Sequence, residues 1–157
     1  MRRGSGEGRR VGRLSGRVFA WAVLCNFPWE MGQAAAYSGS PSTLWQALRD
    51  CGIHSVIDGL LSLGIFWGGG VVFRQADWMR RPGLSGYVWA GTTGFFLSVV
   101  IELNAVYRLG RWAYQPSMPL LPGLGVGLLP VLQMLVLPPL IFALASKAVD
   151  GAVLARE

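Results

Sequence analysis

Residues 51–73 read "CGIHSVIDGLLSLGIFWGGGVVF", an apolar run of 23 residues broken by one histidine, His54, and one acid, Asp58. A helix needs about 20 apolar residues to cross the hydrocarbon core of a bilayer, and this run has that length. The rest of the chain has the same character. Of its 157 residues, 52% are hydrophobic and 14% charged, with a mean hydropathy of +0.42, whereas a soluble domain carries about 25% charged residues. Three more apolar stretches lie at 18–36, 84–106 and 120–146. The breaks between the four, "YSGSPSTLWQALRD", "RQADWMRRPG" and "YRLGRWAYQPSMP", collect turn-forming and charged residues. The expected fold is therefore all-α: a polytopic membrane protein, one four-transmembrane-helix bundle over residues 18–146, with no length left for a second domain. Residues 1–17, "MRRGSGEGRRVGRLSGR", offer almost nothing to bury and read as a disordered basic tail, with 147–157 as a second tail.

Thirteen arginines and one lysine give a net charge of +6. They gather at the ends of the apolar runs rather than along one helical face, which favours an orienting role over nucleic-acid binding. Arg2, Arg3, Arg9, Arg10, Arg13, Arg17, Arg74, Arg80, Arg81, Lys147 and Arg156 fall on one side of the spans, against Arg49, Arg108 and Arg111 on the other. The positive-inside rule then places both termini in the cytoplasm. Trp45, Trp78, Trp112 and Tyr114, near segment ends, suit interfacial aromatic belts. A signal peptide is the competing reading of the amino terminus, with "VFAWAVLC" as its apolar core and "AAA" at 34–36 as its cleavage site. Asn26, Pro28 and Glu30 interrupt that core, and the paired arginines lack the residues that follow them in a twin-arginine signal. Cys25 and Cys51 differ in depth by roughly 16 Å on this topology, beyond disulfide reach, so two free thiols are expected.

The topology assigns a depth to each polar residue. At 1.5 Å per residue, Glu30 lies roughly 9 Å below the outer boundary, His54 about 5 Å, Asp58 about 10 Å and Glu102 about 6 Å. All four fall in the outer leaflet, while the cytoplasmic halves of those three spans hold no acid and no histidine. His54 and Asp58, four apart, share one helix face. An acid at the centre of a membrane helix costs about 3 kcal/mol, so ionisable groups in spans normally face a partner or a water-filled cavity. Burial of that kind also lets a carboxyl group exchange a proton near neutral pH. The four residues thus read as the candidate catalytic set of one outward-opening pocket. Arg108 and Arg111 are the nearest cations. Asn104, Tyr107, Arg111 and Trp112, at or beyond the end of the third run, and Gln133, the one strongly polar side chain deep in the fourth, are candidate ligand contacts. Each residue also has a plain structural reading: Glu102 as a solvated helix-end acid paired with Arg108, His54 as an interhelix hydrogen-bonding group.

One histidine and three acids could in principle ligate iron, manganese or zinc. The di-metal helical bundle, however, uses Glu-x-x-His pairs, and here the order is His-x-x-x-Asp, so neither a metal nor another cofactor is expected. "GLGVGL" at 123–128 lacks the dinucleotide-loop order and falls inside an apolar run. Gly64 with Gly68, and Gly91 with Gly94, read as helix-contact positions. Five prolines, Pro119, Pro122, Pro130, Pro138 and Pro139, imply that the fourth span is kinked or partly unwound.

The chain resembles a group of small, uncharacterised bacterial four-span membrane proteins. Separately, "IHSVIDG" at 53–59 resembles the "IHxVIEG" stretch of emopamil-binding proteins, the sterol isomerases of the EXPERA superfamily. The match covers seven residues, with Asp in place of Glu, and that family has five spans. The resemblance implies an intramembrane proton-transfer site at His54 and Asp58. No residue pattern identifies a reaction. The expected partners are the bilayer, a lipid or isoprenoid-like molecule and, on an alternative reading, a membrane complex in which the chain is a noncatalytic accessory subunit or assembly factor. A proton-coupled transporter is disfavoured because no charged residue continues the path through the inner leaflet.

Overall fold

The computed structural model describes residues 3–39 and 41–154, with side chains over 8–39 and 41–147. Its four long helices are α1 (Arg3–Gln33), α2 (Leu44–Val72), α3 (Gly83–Glu102) and α4 (Leu128–Leu154). α3 runs on into one wide π-turn over Leu103–Arg108. α1 packs on α2 and α4, and α3 on α4 and α2, closing a four-helix ring. Among the described residues the only β-structure is two isolated bridges, Tyr37 with Tyr114 and Leu120 with Gly127. Three helices are long and apolar enough to cross a membrane: Leu44–Val72, Gly83–Arg108 and Leu128–Lys147. Their outward faces carry large apolar side chains, such as Leu60, Trp67, Val88, Phe96 and Val136, as expected of helices hydrophobic all round.

Several boundaries differ from the sequence reading, each for a local reason. α2 begins at Leu44 rather than residue 51, because Thr43 caps it: its Oγ1 accepts from the Gln46 amide at 3.2 Å, and the Gln46 side chain reaches back to the Ser42 N–H at 3.1 Å. That is a capping box shifted by one residue. α1 begins at Arg3, so residues 3–17 are helical rather than a disordered tail. Leu14 (2% exposed) and Val18 anchor this part in the core with Phe66 and Phe142. α1 is not among the helices apolar enough to cross a membrane, since Asn26, Glu30 and Gln33 interrupt its apolar half, and all three are buried. Residues 120–127 form a tight hairpin turn outside α4, closed by the Leu120–Gly127 bridge with Gly123 and Gly125 at positive φ. The "GLGVGL" stretch therefore lies mostly in a turn and not in a span. α4 then continues through residue 147 to Leu154, where a tail was expected.

The lower half of the bundle is built around Trp78, which is buried rather than interfacial. Its indole N–H donates to the Phe66 carbonyl at 2.8 Å, and its ring stands edge-on to Phe142 at 5.4 Å. A β-carbon at Gly69 would strike that ring at 2.5 Å.

α3 and α4 meet through backbone. Pro138 and Pro139 lie inside α4, and each lacks the N–H that would bond the carbonyl four residues earlier. Those carbonyls belong to Met134 and Leu135, and they are the ones a β-carbon at Gly94 or Gly91 would meet. The freed carbonyls point at α3, where only glycine leaves room for them. Of the other small-residue pair, Gly68 packs on Trp89 while Gly64 has nothing within 4 Å. Gly94→Ala should push α4 away beside Gln133 and destabilise the bundle by about 1–3 kcal/mol, the usual cost of overpacking. An unfolding midpoint in detergent equal to that of the parent would show that the helices have room at this point.

Candidate functional site

The carboxyl end of α1, the amino end of α2, the end of α3 and the start of α4 converge at one pole of the bundle. Between them lies a cavity of about 440 Å³. Its wall includes Glu30 and Gln33 from α1, Asp50, His54 and Asp58 from α2, Ser98 and Glu102 from α3, and Gln133 from α4, with Arg111 and Trp112 from the connection after α3. Ile57, Leu61, Ile101, Pro130 and Met134 supply apolar surface.

Gln133, 2% exposed, is the hub. Its amide nitrogen lies 2.8 Å from Asn26 Oδ1, 2.9 Å from Glu30 Oε1 and 2.9 Å from Asp58 Oδ2. Its carbonyl oxygen accepts from Gln33 Nε2 at 2.9 Å. Gln33 Nε2 also donates to Glu30 Oε1 at 2.7 Å, and the Asn26 amide is oriented by donating to the Ala22 carbonyl at 2.8 Å. The other Glu30 oxygen faces His54 Nδ1 at 3.5 Å, and the Glu30 and Asp58 carboxyls are in hydrogen-bonding contact. A primary amide has two N–H protons. The Gln133 nitrogen meets three acceptors, so one of them must be served by another donor.

Glu102, 4% exposed, occupies a separate corner. It accepts from the Tyr37 hydroxyl at 3.4 Å, the Trp112 indole N–H at 3.3 Å and the Tyr114 hydroxyl. The connections that carry these rings are stitched together: Tyr37 and Tyr114 form a bridge, Ser38 N–H donates to the Ala113 carbonyl at 2.8 Å and Gln115 N–H to the Ala36 carbonyl at 2.9 Å. Burial, with the Glu102 carboxylate alongside, pushes the Tyr37 and Tyr114 phenols well above the usual tyrosine range. Both hydroxyls remain donors through neutral and moderately alkaline pH.

The structure brings Glu30, His54, Asp58 and Glu102 onto one cavity wall, along with Arg111, Trp112 and Gln133. Asn104 and Tyr107 do not belong there. Asn104 donates to its own helix, at the Val100 carbonyl (2.8 Å), and Tyr107 holds the hairpin turn through the Gly125 carbonyl (2.6 Å). Asn104, two positions after Glu102, falls on the opposite face of the helix, and Tyr107 sits in the wide turn over Leu103–Arg108. Glu102 is paired with aromatic donors and not with Arg108; ion pairs elsewhere include Arg10–Asp77, Arg49–Asp50 and His54–Glu30. Cys25 and Cys51 are free thiols. Among the described residues no three His, Cys, Asp or Glu side chains are arranged to hold a metal ion.

The sequence reading missed Asn26, Gln33, Tyr37 and Tyr114. For the first two a signal existed, since 26, 30 and 33 recur at helical spacing and mark one polar stripe on α1. For the tyrosines none did, because a bridge between connections 77 residues apart has no local pattern. The fold and site define an all-α bundle with a polar cavity at one pole. Comparison with known protein families, curated proteins and solved structures finds no match to this chain.

Proposed function

We propose that the chain is a multi-pass protein of the bacterial inner membrane in which α1 crosses beside the three apolar helices, its polar Asn26, Glu30 and Gln33 being buried inside the bundle, so that both termini are cytoplasmic and the cavity opens in the outer leaflet, taking an apolar, lipid-like molecule for acid–base chemistry. The observation that carries this reading is the contact between the Glu30 and Asp58 carboxyls, on the wall of a cavity large enough for part of a lipid and faced by His54. A proton held between the two carboxyls would serve the acceptor that Gln133 cannot. The pair can then act in both directions. Asp58 gives its proton to one alkene carbon, Glu30 removes a proton from the neighbouring carbon of the resulting cation, and the double bond has moved with no net change in protons. His54, whose side chain is 55% exposed, exchanges protons between the pair and the surroundings. The resemblance of residues 53–59 to the sterol-isomerase stretch points the same way.

The test is what the protein carries. Native mass spectrometry after mild detergent extraction should show one lipid-like adduct, and Ile101→Trp, which fills the cavity, should lose it. A protein without adduct in either form contradicts ligand binding. One observation favours a second reading, that of a noncatalytic assembly factor: the polar groups of α1, α2 and α4 mostly serve one another, which is what helix pairing alone requires.

A further inference from the structure

Gln33 is 5% exposed and lines the cavity. Both its amide protons are committed, to Glu30 Oε1 at 2.7 Å and to Gln133 Oε1 at 2.9 Å. This settles the orientation of the amide, because the flipped form would set its oxygen against two acceptors. The Gln33 carbonyl oxygen is then left as a buried acceptor to which no described protein group donates. A buried acceptor without a donor costs about 1–3 kcal/mol; the oxygen is covered by its neighbours, so a small turn of the Gln33 side chain toward the cavity is needed for the occupant to donate to it, and that contact recovers the cost.

The charge of the wall narrows what that group is. Glu30, Asp50, Asp58 and Glu102 face the cavity, against Arg111 and His54, so a phosphate or diphosphate head would meet more repulsion than attraction. The acids are already supplied with donors from the protein: Glu102 by Tyr37, Trp112 and Tyr114, Glu30 by Gln33 and Gln133. The open position is a neutral amide oxygen, which matches an uncharged donor. Resting on the reading of the cavity as a lipid-like site, we infer that its ligand is an uncharged amphiphile whose hydroxyl head donates to Gln33 Oε1.

Four probes with one isoprenoid body separate the possibilities: farnesol, its methyl ether, farnesyl phosphate and farnesylamine, each titrated onto the detergent-solubilised full chain with the change in tryptophan fluorescence that is lost in Trp112→Phe as the signal. Farnesol should bind tightest, by roughly five-fold over the methyl ether, the worth of one hydrogen bond. In Gln33→Met the alcohol and ether should become equal. Equal binding of alcohol and ether to the parent protein would overturn the inference, with water serving the oxygen instead, and so would tightest binding of the phosphate or the amine. Should Gln33→Met fail to fold, the four probes on the parent still decide. Failure of all four to bind overturns the lipid-like site itself, a result distinct from binding without discrimination among heads.

Discussion

Asp58→Asn is expected to leave the bundle folded and abolish proton exchange into its ligand. Asparagine keeps an oxygen to accept from Gln133 Nε2, now at 2.9 Å from Asp58 Oδ2, but cannot give up a proton. An acid–base group in position contributes about 10²–10⁴-fold to rate. The readout needs no knowledge of the substrate: protein purified with its bound molecule is held in D₂O, and the extracted lipid is weighed for deuterium. The parent should wash deuterium into a carbon position, and Asp58→Asn should slow this by about 10²–10⁴-fold with an unchanged unfolding midpoint. His54→Gln should slow it less, since His54 reaches the pair only through Glu30, at 3.5 Å. A parent protein whose ligand gains no deuterium has no proton-transfer chemistry, and the assembly-factor reading then takes precedence.

Gln133→Leu should have the largest effect on stability. One buried side chain has two amide protons to share among Asn26, Glu30 and Asp58 and an oxygen that accepts from Gln33, three hydrogen bonds in all to groups drawn from two other helices. Leucine fills similar volume but strands these groups at about 1 kcal/mol each, so a loss of roughly 3 kcal/mol is expected. Asn104→Leu makes a comparable chemical change where the side chain bonds only to the Val100 carbonyl of its own helix, and should cost about 0.5 kcal/mol or less. Thermal unfolding in one detergent compares them. Equal midpoints for the two variants would mean that the network adds nothing to the packing of the helices.

Much of the molecule can be read from local pattern. Hydropathy over 20-residue windows is a property of each segment alone, and the apolar runs it marks at 51–73, 84–106 and 120–146 fall on the three helices 44–72, 83–108 and 128–147, with the starts of the first and third displaced by seven and eight residues. Helical spacing puts His54 and Asp58 on one face of α2, and counting residues from the span ends puts Glu30 and Glu102 at the same pole. The glycines at 91 and 94 mark a helix contact and the prolines at 138 and 139 a distorted fourth helix, though not that the two features meet or that the carbonyls freed by the prolines are the ones the glycines receive.

Which polar groups meet was decided only by the tertiary structure. Equal depth does not bring acids together. Glu30 and Asp58 touch because α1 turns its stripe of Asn26, Glu30 and Gln33 inward against Gln133 of α4, a residue 100 positions or more from the groups it joins on α1. Glu102, at the same pole, is held apart by Tyr37, Trp112 and Tyr114, which reach it because two connections pair by backbone hydrogen bonds. Tyr107 is held at the hairpin turn by the Gly125 carbonyl, a partner 18 residues along the chain that no local pattern marks, whereas the place of Asn104, two positions after Glu102 and so on the opposite face, follows from helical spacing alone. Sequence determines the helices and the end of the bundle at which each polar residue falls because those depend on near neighbours along the chain. The site depends on side chains far apart in the chain, and only packing brings them within hydrogen-bond distance.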